Sequence, residues 1–153
     1  MKRILFVCTG NTCRSPLAEH LLKAMAKDRY EVKSAGIAAF DGDQASQQVH
    51  HVLEEKGIVI QHQAQSVTPE LIDWADLVLT MTKQHERILQ ESFPEQVEKI
   101  AALKAYVMEQ ETNLDVADPF GGSLEVYRQT RNELEELLER LIEKEESSSK
   151  QEE

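Results

Sequence analysis

Three residues near the amino terminus, Cys8, Arg14 and Ser15, have the types and spacing for nucleophilic displacement on a bound oxyanion. They stand in the stretch ILFVCTGNTCRSPL, residues 4–17, with five residues between the cysteine and the arginine. A tight loop of that length turns the backbone N–H groups of Thr9, Gly10, Asn11, Thr12, Cys13 and Arg14 into a cradle for a phosphoryl group. Its charge is then met by donors at a helix N-terminus. Arg14 adds a planar fork of donors matched to phosphate oxygens. Cys8 lies in the floor of the cradle, where the same donors favour its thiolate and make it the nucleophile. The hydroxyl of Ser15 can donate to that thiolate or to the departing sulfur.

The elements that must position these groups can be read on either side. Residues 4–7 are a short apolar run of the kind a fully buried strand shows, stopped by Gly10 and Asn11, which tolerate left-handed backbone angles. Pro16 suits a first helical turn, and Leu17, Leu21, Leu22 and Met25 recur at helical spacing, so a helix is expected from near Ser15 to Lys27. Its positive end faces the loop. A second strand follows at Val32 and residues 34–37, closing in Ser-Ala-Gly. A helix is expected over 44–56, with Val49, Val52 and Leu53 on one face and Gly57 as its stop. Residues 69–74 read as a short helix, LVLTM at 77–81 as a third buried strand, 83–91 as a helix and 97–103 as a fourth strand. A loop through 115–122 leads to a last helix with the apolar stripe Tyr127, Leu134, Leu137, Leu138, Leu141 and Ile142. The domain is thus drawn at 1–142, and 143–153 as an acidic, disordered tail with nothing to bury. Alternating strands and helices imply a single α/β domain, its parallel sheet covered on both faces and its ligand at the carboxyl ends of the strands.

Composition sets the outer bounds. A chain of 153 residues, 41% hydrophobic, is one domain that can build a core without disulfides or metals. A net charge of −11 disfavours nucleic acid and anionic membrane as partners. Much of that charge is local, with ten Glu against five Lys or Arg in residues 124–153, so the site itself need not be acidic. The two cysteines both fall in the loop and make no extracellular disulfide framework. The first apolar run is too short for a signal peptide and no transmembrane segment is present, so a monomeric cytoplasmic protein is expected. The five histidines show no metal-ligand spacing, and His50 and His51 are adjacent and cannot share a helix face. No metal and no cofactor are expected.

A bare Cys-x5-Arg is a weak signal, but CTGNTCRS directly behind an N-terminal strand resembles the phosphate loop of the low-molecular-weight protein tyrosine phosphatases. The resemblance implies a four-stranded parallel sheet in the order 2-1-3-4. It also implies a general acid in an Asp-Pro-aromatic segment before the last helix, which here is Asp118, Pro119 and Phe120. Taken alone, an Asp-Pro pair is more often a turn. In the family's chemistry one carboxyl protonates the leaving group and then serves as base for the water that hydrolyses the phosphocysteine. Asp73, Asp76 and Asp115 are assigned to turns and helix ends. Asn11, Ser34 in Ser-Ala-Gly and His62 in HQAQ match the hydrogen-bonded network that, with Ser15, holds the loop in shape. Gln65 and Ser66 depart from the family's usual Arg-Gln, so any ion pair made there is missing.

Two positions bear on the substrate. Tyrosine-directed members usually carry an aliphatic residue where this loop has Thr12, and often a tyrosine or tryptophan where it has Phe120. CTGNTCRS with DPFGG is similar to the bacterial protein arginine phosphatases of the family, which implies arginine-phosphorylated proteins as substrates; a tyrosine phosphatase is the alternative. Phe40 is a further candidate for the pocket wall, and equally a loop anchor. Arsenate reductases of the same fold need cysteines downstream, and none follows Cys13. A non-catalytic phosphate-binding module would be favoured by loss of Cys8, Arg14 or Asp118, all of which are present. If the loop brings Cys8 and Cys13 within disulfide range, oxidation could protect the nucleophile reversibly; the alternative is that Cys13 only packs beneath the loop.

Overall fold

The structure, a computed structural model, describes residues 1–110 and 112–151, with side chains through Ser148. Strands β1 (Lys2–Cys8), β2 (Tyr30–Gly36), β3 (Leu77–Thr80) and β4 (Ile100–Ala102) form one parallel sheet in the order β2-β1-β3-β4. The order expected from the resemblance is therefore the one observed. Strand β1 is central and pairs with β2 from Lys2↔Tyr30 to Cys8↔Gly36 and with β3 from Ile4↔Leu77 to Val7↔Thr80.

Side chains along β1 alternate between two apolar layers, as the two-residue period of a strand requires. Ile4, Phe6 and Cys8 enter the larger core, built with helices α1 (Arg14–Met25), α2 (Gln47–Glu54) and the long α6 (Leu124–Gln151). Leu5 and Val7 enter the smaller one with Ile72 of α3 (Pro69–Trp74) and Leu89 of α4 (Lys83–Ser92). Register thus decides that Cys8 faces the layer containing α1, whose N-terminus closes the phosphate loop.

Three expectations change. The fourth strand is shorter than 97–103: Pro94–Lys99 is a 3-10 turn, Ile100–Ala102 is the strand, and a short helix α5 (Leu103–Val107) follows at once. Pro94 fixes the turn's first φ, and Glu86 of α4 accepts the Ala102 N–H at 2.7 Å, anchoring the strand. Asn11 does take a left-handed φ of 57°, but Gly10 is not among the positive-φ residues; the loop's turn rests on Asn11. The last helix also does not stop at Ile142. Helix α6 continues to Gln151, and Glu145, one turn beyond Leu141, is buried, accepting the Tyr106 hydroxyl at 2.5 Å and pairing with Lys2 Nζ. Polar contacts with the start of β1 and with α5, not apolar burial, hold this last stretch. Residues 152 and 153 of the expected tail lie outside the described residues.

Candidate active site

Cys8 ends β1 with its side chain 3% exposed, and the chain turns through Thr9–Cys13 into α1. The N-cap of α1 is Cys13, which makes no side-chain capping bond. The N–H groups of Gly10, Asn11, Thr12 and Cys13 donate to no protein acceptor among the described residues, so they are free for an anion. Gly36, the last residue of Ser-Ala-Gly, lets the loop lie against β2. A Cβ there would stand 2.5 Å from Thr9 O and 3.0 Å from Asn11 N. Ile37 N and Ala38 N donate to Cys8 O and Thr9 O at 3.0 and 2.9 Å, pinning the start of the loop.

Asn11 organises the loop from within. It is fully buried, and its Oδ1 accepts Gln65 N at 3.0 Å, which fixes the amide orientation. Its Nδ2 then donates to Ser15 Oγ at 2.8 Å and Ser34 Oγ at 2.9 Å. Ser15 Oγ, already accepting, has its single O–H left for Cys8 Sγ at 2.8 Å. By the same logic Ser34 donates to Glu19 Oε1 at 2.5 Å. The carbonyl of Asn11 accepts from His62 Nε2 at 2.7 Å, and because a carbonyl cannot donate, that nitrogen carries the proton. Asn11, Ser15, Ser34 and His62 therefore lie in one hydrogen-bonded network behind the loop. Gln65 does more than mark a lost ion pair, since its Nε2 also donates to Ser34 O at 3.0 Å.

Arg14 is buried and held by Val116 O, 2.9 Å from Nη1, while its Nη2 lies 3.7 Å from Asp118 Oδ2. Asp118 is half exposed and accepts Phe120 N through Oδ1 at 3.0 Å, a turn that carries its carboxyl to the cavity rim. The cavity measures about 230 Å³ and is lined by Cys8, Thr9, Gly10, Thr12, Cys13, Arg14, Asp118 and Phe120. Phe40 does not line it and stands 78% exposed, so the pocket-wall expectation fails for that residue. Clefts of larger volume elsewhere, such as one of about 430 Å³ at Met1 and Glu145, are lined by no cysteine. Asp115 accepts Lys83 N at the start of α4, Asp76 accepts Arg3 N, and Asp73 accepts Gln96 Nε2; all three are structural.

Several participants escaped the sequence reading. His85 of α4 is buried with Nε2 2.9 Å from Thr9 Oγ1, and burial, reinforced by the Arg14 charge, pushes it down to about 4. Tyr127 places its hydroxyl 3.4 Å from Cys13 Sγ; burial first, then the contact with Cys13, pushes the phenol up to about 12. Glu19 lies beneath Ser34, and Lys23 Nζ holds its other oxygen at 2.5 Å. The one local signal for Glu19 is an acid set among Leu17, Ala18, Leu21 and Leu22 on the same helix.

A buried cysteine under free N–H donors, an arginine beside it and a carboxyl at the rim, all at the carboxyl ends of a parallel sheet, define a cysteine-dependent phosphohydrolase site. The family model of low molecular weight phosphotyrosine protein phosphatases matches residues 3–152, and the chain belongs to that family. It is 51% identical over 142 residues to the protein-arginine-phosphatase of Geobacillus stearothermophilus, covering 93% of this chain and 95% of that one. It is 47% identical over 141 residues to the protein-arginine-phosphatase of Bacillus subtilis, covering 90% and 93%. Among solved structures, the YwlE arginine phosphatase of Geobacillus stearothermophilus superimposes with a TM-score of 0.94 at 47% identity, covering 100% of this chain and 98% of that chain. A cysteine-to-serine variant of a YwlE arginine phosphatase with a phosphorylated active-site serine gives 0.88 at 45% identity, covering 93% and 94%.

Proposed function

We propose that this enzyme hydrolyses phosphoarginine in proteins through a phosphocysteine intermediate. The observation that carries the reading is Thr12, a hydroxyl residue in the wall of the cavity above Cys8, in a chain about half identical to two protein-arginine-phosphatases. In the first step the Cys8 thiolate attacks phosphorus; the S–P bond forms as the P–N bond breaks. Asp118 gives its proton to the departing guanidine nitrogen. The N–H groups of the loop and Arg14 take the charge of the equatorial oxygens. In the second step Asp118 takes a proton from water, whose oxygen attacks phosphorus, and the thiolate leaves with the Ser15 hydroxyl donated to it. Thr12 and Phe120 set the substrate preference, and Asn11, Ser34 and His62 hold the loop. The enzyme acts as a cytoplasmic monomer whose partners are arginine-phosphorylated proteins. In support, a net charge of −11 repels nucleic acid and anionic membrane. No helix among the described residues is long and apolar enough to cross a membrane.

The test is kcat/KM on matched phosphoarginine and phosphotyrosine peptides for wild type and Thr12→Ile, with Cys8→Ser as blank. Preference for phosphoarginine that collapses in Thr12→Ile supports the assignment. Preference for phosphotyrosine in the wild type leaves the cysteine chemistry intact and removes the substrate. Cys8 and Cys13 are both free and buried, and we assign Cys13 the role of a reversible oxidation partner. If Cys13→Ala recovers as fully as wild type on reduction after mild peroxide, that role is wrong.

A further inference from the structure

We propose that Glu19, His20 and His62 form a binding site for a divalent transition cation, zinc foremost, behind the phosphate loop. No local spacing announces it, because Glu19 and His20 come from α1 and His62 from the segment after α2; the fold alone unites them. Glu19 Oε1 lies 3.9 Å from His20 Nε2 and 3.9 Å from His62 Nδ1, and the three atoms fall within 4.8 Å of one another. Ligands around a tetrahedral zinc stand about 3.3 Å apart, given metal–ligand distances of about 2.0–2.1 Å. The two 3.9 Å separations must close by about 0.6 Å and the one between the histidines, at most 4.8 Å, by up to about 1.5 Å, movements that rotation of the two imidazoles supplies.

The state of each donor points the same way. His62 must carry a proton on Nε2, which donates to Asn11 O, so Nδ1 is the ring nitrogen left to face the cluster and bind a metal. Donation of the far ring nitrogen to a backbone carbonyl is how metal-bound histidines are oriented. The His62 side chain is only 6% exposed. His20 Nε2 is buried and has no hydrogen-bond partner among the described residues, where protein interiors normally pair such an atom. Ser34 and Lys23 fix the Glu19 carboxylate by donating to its two oxygens. A cavity of about 330 Å³ bordered by Glu19, His20, Lys23 and His62 offers entry and room for a water as fourth ligand. Two imidazoles and one carboxylate suit zinc better than the all-oxygen preference of magnesium or calcium. The Lys23 ammonium opposes the cation and limits the affinity.

The experiment is calorimetric titration of zinc chloride into the full-length Cys8→Ser protein, in which the phosphate-loop nucleophile is gone. One equivalent should bind, His20→Asn in the same background should weaken it at least about tenfold, and Lys23→Gln should tighten it. Cobalt in place of zinc should give a spectrum with no thiolate charge-transfer band. Retention of wild-type phosphatase activity by His20→Asn with Cys8 intact shows that this variant folds. Absence of binding up to millimolar zinc, affinity indifferent to His20→Asn, affinity unchanged in Lys23→Gln, or a thiolate band each overturns the proposal; the lysine variant keeps the test valid should the histidine variant misfold.

Discussion

Replacing Asn11 by alanine removes three hydrogen bonds of a fully buried side chain, at 2.8, 2.9 and 3.0 Å, to Ser15, Ser34 and Gln65 N. Each neutral bond is worth about 1 kcal/mol net, and the partners left behind are themselves enclosed, so about 3 kcal/mol is lost from the network. The φ of 57° adds to this, since alanine is disfavoured in the left-handed region by roughly 1–2 kcal/mol while glycine is not. Asn11→Ala should therefore lose about 4–5 kcal/mol. Asn11→Gly forfeits the same bonds and regains the strain, less about 0.5–1 kcal/mol for the freer unfolded chain, so it should be the more stable variant by about 0.5–1 kcal/mol. Urea unfolding with linear extrapolation reads both. Because Asn11 also orients the Ser15 hydroxyl toward Cys8, kcat should fall in both variants, and Asn11→Ala with Ser34→Ala should be less than additive by about 1 kcal/mol. An Asn11→Ala protein within about 1 kcal/mol of wild type, or one more stable than Asn11→Gly, would refute the view that this residue anchors the loop.

Gly36→Ala places a methyl 2.5 Å from Thr9 O, a backbone atom that cannot swing aside, so the loop must shift. Stability should fall by about 1–3 kcal/mol and kcat/KM by more than tenfold; normal kinetics would show that the loop tolerates the displacement. His85 titrates near 4 in the folded protein against an ordinary 6.5. The unfolded chain then binds the extra proton between those values, so stability from this group is present above pH 6.5 and is lost as pH falls toward 4. The loss is at most about 3 kcal/mol at 1.36 kcal/mol per unit. Urea midpoints at pH 7 and pH 4 should differ less in His85→Gln than in wild type, and an equal difference would contradict the assignment. Glu145→Ala strips the buried carboxylate that holds Lys2 and the Tyr106 hydroxyl. It should lower the unfolding midpoint with little change in kcat/KM, whereas an unchanged midpoint would mean that the end of α6 adds nothing to the domain.

The candidate phosphate loop was legible because its parts are contiguous: strand, loop, arginine and helix start lie in residues 4–17, and β1 needs only its two-residue alternation to aim Cys8. Asp118 became readable through resemblance, since nothing local separates it from the turn it also makes with Phe120 N. The groups that support the loop arrive from farther away. His85 is 76 positions from Thr9, Gln65 is 54 from Asn11, and Val116 is 102 from Arg14. Two of those contacts use backbone atoms, which carry no residue-type signal at all. Gln65 shows the consequence most clearly. As a residue type it reads as the loss of an arginine, yet its main-chain N–H fixes the Asn11 amide, and that orientation decides which way every proton from Asn11 to Cys8 and to Glu19 points. The end of α6 escaped for a related reason: Glu145 is held by Lys2, 143 positions away, and Tyr106, 39 positions away, and a composition of Glu, Lys and Ser cannot announce partners that only the finished fold brings within reach.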